Sequence, residues 1–355
     1  MKRVAIIGTV GIPACYGGFE TLAENLVRFC EKDVAYTVWC SSKAYPKRLQ
    51  QYNGAQLRYI PLKANGAQSP LFDLASMLGA LRSCDTMLIL GVSGCLFLPI
   101  IRVLFKKKII VNIDGLEHRR EKWGKLARKF LLASEKAAVR HADVVIADNK
   151  SIQDYVQLTY NRTAELIAYG GDGILCDVQP DQQQAILQQY GLESNGYAMA
   201  LCRIEPENNC HLILEAFSHS ESLPLLFIGN WGSSEYGRAL KRQYGSSPKI
   251  QLLDAIYDKD VLYTLRSHTR CYIHGHSAGG TNPSLVEAMH FGRCILAYDC
   301  SYNRNSTFDK ALYFKTAEEL YALLQQKLPT GECLQGLARE HYTWEHIAHQ
   351  YTQLF

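Results

Sequence analysis

The amino-acid sequence predicts an α/β protein built from two domains, each with a parallel sheet. The chain has 355 residues, which is enough for two domains with separate hydrophobic cores. Short runs of continuous apolar residues recur along it, and segments with helical spacing of apolar residues lie between these runs. Regular alternation of strand and helix is typical of a parallel sheet wrapped by helices, with binding loops at the carboxyl ends of the strands.

The first series of strands opens at residues 4–7, Val-Ala-Ile-Ile, which have the character of a central strand buried on both faces. The further strands predicted in this series are residues 36–40, 57–61, 86–90, 108–113 and 144–147. The helices predicted between them are residues 20–30, 71–83, 95–105 and 121–140. These elements predict an N-terminal Rossmann-like domain over residues 1–172.

A second series of strands begins near Tyr197. Its members are predicted at residues 197–201, 225–228, 250–252, 271–273, 295–297 and 311–314. They predict a C-terminal Rossmann-like domain over residues 173–340, joined to the first by a glycine-rich hinge at residues 170–173. Residues 341–355 are predicted to form a helix that packs back on the N-terminal domain.

The composition is that of an ordinary soluble protein, with 47% hydrophobic and 20% charged residues. The net charge of +4 is mild, so no nucleic-acid partner is expected. The charge is uneven, because ten Lys and Arg residues but only three acidic residues lie between Arg102 and Lys129. This segment therefore predicts a local basic surface.

Twelve cysteines are spread along the chain without a CxxC pair, which favours reduced, mostly buried thiols in the cytoplasm. The longest apolar stretch, residues 95–101, is too short to cross a bilayer, and no signal peptide is evident. We therefore expect a cytoplasmic protein that is soluble or bound peripherally to the inner face of the plasma membrane.

The stretch of residues 276–289 contains the parts of an anion site. An apolar strand run ends at His274, Gly279 and Gly280 form a turn, and a helical pattern follows. Backbone N–H groups at the start of a helix carry the positive end of its dipole and bind phosphate. Glu287 would lie about one turn into this helix, where its carboxylate can accept hydrogen bonds from sugar hydroxyls. The alternative is a strand–turn–helix corner without a ligand.

Another glycine-rich loop follows the first strand, with glycines at positions 8, 11, 17 and 18. Its spacing departs from the GxGxxG fingerprint, so an NAD site is not expected. The pair Gly17-Gly18 suits close approach of the backbone to a bulkier phosphate ligand.

Arg203 follows the strand at residues 197–201 and is suited to pair with a diphosphate. The alternative is a surface ion pair with Glu205 or Glu207.

Asp114, Glu117 and His118 follow the strand at residues 108–113, where each is suited to position or deprotonate a hydroxyl. The sequence does not rank these three residues.

A helix is predicted over residues 119–130, with Trp123 and Phe130 among six cations. Aromatic anchors among cations suit an anionic membrane surface or a lipid diphosphate, and the alternative is a solvated helix face. The DxD at Asp258 and Asp260 is predicted to cap a helix rather than to bind a metal. No HExxH, GxSxG or P-loop motif occurs, which argues against zinc proteases, serine hydrolases and P-loop NTPases.

Several motifs together resemble a family 4 glycosyltransferase of the GT-B fold, within the bacterial rhamnosyltransferase branch. They are GTVGIPACYGGFET at 8–21, DGLE at 114–117, Arg203 with PENN at 206–209, GGTNPS at 279–284 and YNR at 302–304. The match runs nearly the whole chain. It implies the GT-B fold, in which two Rossmann-like domains with parallel sheets face a central cleft.

The resemblance implies roles for residues at the matching positions. In the N-terminal half, Gly17 and Gly18 would offer backbone N–H groups to the donor. In the C-terminal half, Arg203 would neutralise the leaving diphosphate and Glu287 would hold the nucleotide ribose. The transferred sugar and its phosphate would be bound by Gly280, Thr281 and Asn282.

Three positions depart from the family pattern. Gly279 stands where the wider family has a Glu, and Asn208 where it has a Lys. Val10 replaces the Arg that is usual in the branch. Loss of the carboxylate suits a donor with fewer hydroxyls, such as a 6-deoxy sugar, and the same changes are also compatible with weak or lost activity.

The predicted catalytic residues are Arg203, Asp114 and His118. The predicted substrate-binding residues are Gly17, Gly18, Asn208, Gly279, Gly280, Thr281, Asn282 and Glu287. No metal and no other cofactor is predicted, because the nucleotide-sugar donor is a substrate.

The resemblance implies a retaining, metal-independent transferase that moves rhamnose from dTDP-rhamnose onto a lipid-diphosphate-linked saccharide. The expected partners are that donor, that acceptor and the cytoplasmic face of the membrane, in the synthesis of a cell-surface polysaccharide such as a capsule. Two alternatives remain open: a nucleotide-sugar epimerase or hydrolase of the same fold, and a non-catalytic partner in a polysaccharide assembly complex.

Overall fold

The computed structural model describes residues 1–15, 17–120, 123–219 and 223–355. The chain divides into two compact units, which we call unit 1 (residues 1–169 with 344–355) and unit 2 (residues 170–343). The boundaries predicted from the sequence, after residues 172 and 340, fall close to these divisions. Tyr16, Glu121 and Lys122, which belong to predicted motifs, lie outside the described residues.

Unit 1 contains an eight-stranded sheet in the order β3-β4-β2-β1-β5-β6-β7-β8. Its strands are β1 (Lys2–Ile7), β2 (Val34–Ser41), β3 (Gln51–Tyr52), β4 (Ala55–Ile60), β5 (Thr86–Leu90), β6 (Lys108–Asn112), β7 (Val144–Ala147) and β8 (Glu165–Leu166). Neighbouring strands are parallel except for the short antiparallel pair β3 and β4. Val4 in the central strand pairs with Tyr36 on one side and Thr86 on the other. The apolar run predicted as a central strand is therefore central.

The first five helices follow these strands. They are α1 (Gly18–Arg28), α2 (Ser69–Ala80), α3 (Leu98–Leu104), α4 (Lys125–His141) and α5 (Lys150–Tyr160). Among the described residues, no helix has the length and apolar character that crossing a membrane would require.

The prediction of one helix over residues 119–130 is wrong. A 3₁₀ turn covers Glu117–Arg119, Arg120 and Gly124 are extended, and α4 begins at Lys125. Glycine costs about 1 kcal/mol relative to alanine inside a helix, so Gly124 favours a helix start at this point. Trp123 consequently lies before the helix, and only Phe130 of the two predicted anchors lies on it.

Unit 2 contains a six-stranded, fully parallel sheet in the order β11-β10-β9-β12-β13-β14. Its strands are β9 (Ala198–Leu201), β10 (Leu225–Ile228), β11 (Ile250–Leu253), β12 (Cys271–His274), β13 (Cys294–Tyr298) and β14 (Leu312–Phe314). Its helices are α6 (Pro180–Gln189), α7 (Cys210–Ser218), α8 (Glu235–Tyr244), α9 (Lys259–His268), α10 (Pro283–Met289), α11 (Ser301–Ser306), α12 (Ala317–Leu324) and α13 (Glu332–His341). Two cores, formed by the two faces of this sheet, centre on Phe227 and Leu226.

Side-chain caps fix several helix starts in unit 2. Asp258 Oδ1 accepts hydrogen bonds from the N–H groups of Asp260 (2.9 Å) and Val261 (3.1 Å) at the start of α9. The prediction that this DxD caps a helix is confirmed. Asn282 and Thr316 cap α10 and α12 in the same manner.

The final helix, α14 (Trp344–Gln353), belongs to unit 1, where it packs beside α1. Trp344, Ile347 and Tyr351 are buried in the same core as β1. The Asn112 side-chain amide donates a hydrogen bond of 2.7 Å to the Tyr351 hydroxyl at the carboxyl end of β6. α14 thus completes the core of unit 1.

Candidate functional site

The loop after β9 carries Arg203, whose side chain is exposed. Asn208, at the end of this loop, is 1% exposed, and its side-chain amide donates a hydrogen bond of 2.6 Å to the carbonyl of Arg203. The amide of Asn208 therefore fixes the backbone from which Arg203 extends. Sequence reasoning placed Asn208 among the ligand contacts and did not foresee this bond.

The loop after β12 is tied to the Arg203 loop, because β9 and β12 are neighbours in the sheet. The Ser277 N–H and hydroxyl donate hydrogen bonds of 2.9 and 2.8 Å to the Glu207 carbonyl. The Asn209 amide donates one of 2.9 Å to the Gly275 carbonyl. A Cβ on Gly275 would lie 2.1 Å from the Asn208 carbonyl oxygen, so only glycine permits this approach. Two predicted binding loops thus form one rigid edge of unit 2.

Gly279 has a φ of 113°, and no atom lies within 4 Å of the position that a Cβ would occupy. Its backbone conformation, rather than lack of space, therefore requires glycine. A Glu here, as in the wider family that the sequence resembles, would be strained. Gly279 therefore suits a turn conformation that a Glu would disfavour, and it also carries no carboxylate.

The backbone N–H donors of Ser284 and Leu285 at the start of α10 already form hydrogen bonds within the protein. Asn282 Oδ1 accepts hydrogen bonds from the Ser284 N–H (3.1 Å) and hydroxyl (2.8 Å), and the Asn282 carbonyl accepts one from the Leu285 N–H (3.0 Å). Pro283 has no N–H to offer. The N–H groups of Ser284 and Leu285 at this helix start therefore already have partners within the protein.

Glu287 lies on α10 and forms an ion pair of 2.7 Å with Arg266 Nη1. The Arg266 side chain, on α9, is 2% exposed, whereas that of Glu287 is 30% exposed. The carboxylate therefore balances a buried cation while part of it stays accessible to a ligand. Sequence reasoning missed Arg266, because nothing in the helical pattern of residues 261–266 marks it as buried.

Two histidines stack at the carboxyl end of β12. The rings of His274 and His276 are 4.6 Å apart and nearly parallel, at 10°. His274 is 1% exposed, and burial lowers its pKa to about 3, so the ring is neutral. The His276 carbonyl accepts a hydrogen bond of 2.8 Å from the Asn303 amide, which links α11, the helix after β13, to the same edge.

Arg304, the last residue of the YNR motif, has a structural role. Its guanidinium contacts Asp299 (2.6 Å) and Asp309 (3.0 Å) and lies over the ring of Tyr313, 4.1 Å from its centroid. Hydrogen bonds from Arg304 are the main cause of the lowered pKa of the Asp299 carboxyl. This part of the motif holds α11 in place, and two carboxylates neutralise the Arg304 charge.

In unit 1, the glycine loop after β1 is held by a carboxylate at the start of α1. Glu20 is 7% exposed, and its Oε1 accepts hydrogen bonds from the Thr9 hydroxyl (3.0 Å) and the Val10 N–H (2.7 Å). Gly17 caps α1 with a φ of 132°, and a Cβ there would lie 1.9 Å from Glu20 Oε2. The loop and the helix start therefore form one unit, in which Gly17 is required. Glu20 was not singled out from the sequence.

Gly18 and Asp114 both lie near Tyr169. The Tyr169 ring is 3.8 Å from the position of a Cβ on Gly18. Burial, and then the charges of Asp114 and Asp148, raise the pKa of Tyr169 well above its usual value. Asp114 has a φ of 60°, and its N–H donates a hydrogen bond of 2.9 Å to Asn112 Oδ1. The structure thus brings two predicted site residues to the same edge of the sheet.

His118 is oriented by a buried carboxylate. Its Nδ1 lies 2.9 Å from Glu135 Oε2, and Glu135 is 2% exposed. The other carboxylate oxygen, Oε1, accepts hydrogen bonds from the hydroxyls of Tyr155 (2.8 Å) and Tyr160 (2.7 Å). A carboxylate that holds the imidazole at Nδ1 fixes the orientation of the ring and leaves Nε2 as the nitrogen suited to act as a general base. Glu135 escaped sequence reasoning because it is seventeen residues from His118.

Glu117, the third polar residue of this loop, is bound differently. Its Oε1 pairs with Arg120 at 2.5 Å, and its Oε2 accepts a hydrogen bond of 3.0 Å from the Trp123 indole. Both oxygens therefore hold the segment before α4.

Comparison with known families decides the class of unit 2. Residues 182–311 match the family described as glycosyl transferases group 1. The chain carries a group 1 glycosyltransferase domain. Residues 1–172 match a domain of unknown function, DUF1972. No curated protein matches the chain.

Solved glycosyltransferases share the fold of the whole chain. Anabaena HepE in complex with UDP is 14% identical, with a TM-score of 0.76 and 99% of each chain covered. Sucrose-phosphate synthase from Thermosynechococcus elongatus is 15% identical, with a TM-score of 0.81, and 100% of this chain and 98% of that chain are covered. Starch Synthase IV from Arabidopsis thaliana, bound to ADP and acarbose, is 14% identical, with a TM-score of 0.70 and coverage of 99% and 98%. The predicted α/β fold with two parallel-sheet domains, matching GT-B glycosyltransferases, is confirmed.

The group 1 domain and DUF1972 divide the predicted site between them. The group 1 domain contains Arg203, Asn208, the turn at residues 279–282 and Glu287. DUF1972 contains Gly17, Gly18, Asp114 and His118. Within the group 1 domain, the structure joins the Arg203 loop to the segment that leads into the 279–282 turn.

Proposed function

We propose that this chain is a retaining, metal-independent glycosyltransferase of family 4. It transfers rhamnose from dTDP-rhamnose to a lipid-diphosphate-linked saccharide at the cytoplasmic face of the membrane, during synthesis of a cell-surface polysaccharide. The group 1 domain supports the transferase class. Solved structures of HepE with UDP and with UDP-glucose support a nucleotide-sugar donor.

The observation that carries the proposal is the rigid edge formed by the loops after β9 and β12. Arg203 is exposed on one loop, and hydrogen bonds between Ser277 and Glu207 hold the other loop beside it. Arg203 on one loop would provide a positive charge for a diphosphate, and the glycine-rich turn that continues the other loop would provide backbone N–H dipoles. Glu287, partly exposed on the helix that follows, is suited to accept hydrogen bonds from the ribose.

Catalysis in this proposal rests on stabilisation of the leaving group. Negative charge grows on the donor diphosphate as the glycosidic bond breaks, and Arg203 with the 279–282 backbone meets that charge. Fixed dipoles of this kind lower a barrier because they need no reorganisation during the reaction. No strong nucleophile from the protein is required.

The acceptor hydroxyl is assigned to unit 1 in this proposal. His118, oriented by Glu135 at 2.9 Å, would take the proton of the attacking hydroxyl, and Asp114 would position the acceptor. Gly17 and Gly18 would let the donor approach the backbone at the start of α1.

The first test is a thermal-shift screen of the purified chain with UDP, GDP, dTDP and their sugars. We expect dTDP and dTDP-rhamnose to raise the melting temperature most, because only ligands of the folded state stabilise it. Transfer is then measured with the stabilising donor and a lipid-linked saccharide. Nucleotide release without an acceptor would instead indicate a hydrolase or epimerase, and failure to bind any nucleotide would indicate a non-catalytic partner.

A further inference from the structure

The helices α3 and α4 share one face of the unit 1 sheet. The strands β5, β6 and β7 lie side by side in this order, and each helix connects one strand to the next. Right-handed crossovers that proceed in one direction along a sheet place their helices on the same face. The two helices also pack beside each other. Their exposed side chains therefore point away from the sheet on the same side.

α3 carries apolar residues both on the side that packs against the core and on the side that faces solvent. Leu98 and Ile101 are fully buried against the core. On the opposite side, Ile100, Val103 and Leu104 are 64%, 73% and 59% exposed. Their i, i+3, i+4 spacing makes them one continuous ridge. An exposed aliphatic ridge of this kind marks an interaction surface.

α4 adds a stripe of cations. Its exposed residues at helical spacing are Lys125, Lys129, Leu132, Lys136 and Arg140. Beside them, Leu126 is 84% exposed. The only acidic residue of this helix, Glu135, is 2% exposed and is occupied by the hydroxyls of two tyrosines. The outer side of α4 therefore carries positive charge without a compensating carboxylate of its own.

The stripe ends in an open hollow of about 530 Å³ between α4 and the end of α5. Its lining includes Lys136, Arg140 and Arg162. The Arg162 guanidinium is held by backbone carbonyls at the end of α4, including that of Asp143 at 3.1 Å. Lys136 and Arg140 are exposed at its rim. Cations around a hollow of this size suit a phosphate-containing headgroup.

We propose that the outer surface of α3 and α4 docks on a bilayer that contains anionic phospholipid. The ridge of Ile100, Val103 and Leu104 enters the interface between headgroups and acyl chains, and the α4 cations meet lipid phosphates. The inference deepens the proposed function and rests on it, because a lipid-linked acceptor is presented at a membrane. The anchors differ from those predicted from the sequence: Trp123 and Phe130 are half-buried, and the Trp123 indole is bound to Glu117.

The test is co-sedimentation of the purified full chain with vesicles, without donor or acceptor. We expect binding to vesicles of phosphatidylcholine with phosphatidylglycerol, and much weaker binding to phosphatidylcholine alone. Ile100→Ser with Val103→Ser should lower the partition coefficient about tenfold or more, because two aliphatic side chains no longer enter the interface. Lys125→Ala with Lys129→Ala should lower it about tenfold at low salt, with the difference fading at high salt.

Matched controls are Leu175→Ser, which removes a 46% exposed leucine of unit 2, and Lys310→Ala, which removes an exposed cation there. Both should bind vesicles as the wild type does, and melting curves should show all variants folded. The proposal would be overturned if the α3 and α4 variants bound vesicles as well as the wild type does. It would also be overturned if the wild type bound vesicles of phosphatidylcholine alone as well as vesicles with phosphatidylglycerol. A wild-type dimer that these variants make monomeric, with no vesicle binding, would assign the surface to self-association and also overturn it.

Failure of this proposal is distinguishable from failure of the proposed function. Transfer to a water-soluble acceptor analogue needs no membrane, so the α3 and α4 variants should keep it. Vesicle binding without transfer would refute the proposed reaction and leave the docking surface standing. Transfer without vesicle binding would refute the docking surface alone.

Discussion

At the scale of single residues, Arg203 is the side chain on which the proposed chemistry depends. It is exposed at the carboxyl end of β9, and Asn208 fixes its backbone through a hydrogen bond of 2.6 Å. Arg203→Ala should lower the turnover number about a hundredfold, since one charge-stabilising donor contributes about 3 kcal/mol to a transition state. The measurement is steady-state transfer with a saturating donor.

The matched control is Arg304→Ala, which removes another arginine of unit 2, on the helix α11 that follows β13. Arg304 is neutralised by Asp299 (2.6 Å) and Asp309 (3.0 Å), so its loss should change turnover only a few-fold. Equal losses in the two variants would mean that Arg203 acts through general stability. Unchanged turnover in Arg203→Ala would remove it from the mechanism.

A second prediction at this scale concerns Asp73, on α2. It is 1% exposed and contacts the Ser93 hydroxyl, and burial raises the pKa of its carboxyl to about 7. Because the folded-state pKa is above the ordinary value, the protonated form stabilises the fold at low pH. That contribution is lost as the pH rises from about 4 through 7.

Asp73→Asn should therefore stabilise unit 1 relative to the wild type by about 2–4 kcal/mol at pH 8 and by much less at pH 4. Urea unfolding at the two pH values, followed by a unit 1 probe such as Trp39 fluorescence, measures the difference. A pH-independent difference between the two proteins would contradict this account.

At the scale of elements, the strands were the easiest features to predict. Residues 86–90, 144–147 and 225–228 were predicted with the observed bounds, because a strand buried on both faces is a continuous apolar run. The helix over 119–130 was not, because cations and aromatics there have helical spacing although Gly124 is extended. Periodicity reports which side chains share a face and says little about where a glycine interrupts the backbone.

The contacts that shape the candidate site could not be predicted from local sequence patterns, because they join residues that are far apart in the sequence. His118 meets Glu135 across seventeen residues, and Glu287 meets Arg266 from a different helix. The glycine-rich loops, by contrast, could be predicted, since a glycine pair before a helix is a pattern of neighbouring residues. The sequence could therefore name the loops but not the buried charges that hold them.

The start of α10 gives a prediction for one element. Asn282 caps it with its side-chain oxygen, at 3.1 Å from the Ser284 N–H. Asn282→Ala should destabilise unit 2 by about 1 kcal/mol and also weaken nucleotide binding, because the 279–282 turn loses its fixed end. Asn282→Ser retains a capping oxygen and should restore both. Thermal melts and nucleotide titration measure the two effects.

Thr316→Ala is the control for this cap. Thr316 caps α12 by the same kind of bond, 3.2 Å from the Glu319 N–H, and α12 carries none of the predicted site residues. Loss of the Thr316 cap should destabilise unit 2 by about as much as Asn282→Ala does and should leave nucleotide binding intact. Parallel loss of binding in both variants would show that any destabilised cap weakens the site.

At the scale of the whole molecule, the chain has two compact units with separate hydrophobic cores, and we expect the two units to unfold separately. α14 returns to unit 1, where Trp344 and Ile347 are 3% and 1% exposed. Trp344→Ala with Ile347→Ala should destabilise unit 1 by about 5 kcal/mol or more, because each change leaves a cavity in its core. Phe217→Ala, which empties the core of unit 2, should instead destabilise unit 2 by about 3–5 kcal/mol.

Scanning calorimetry with and without the stabilising nucleotide separates the two transitions. The nucleotide should raise the transition of unit 2, since the proposed donor contacts of the group 1 domain lie there. The α14 variant should lower only the other transition. A single transition that both variants shift equally would show one cooperative unit, and loss of nucleotide affinity in the α14 variant would show that unit 1 contributes to donor binding.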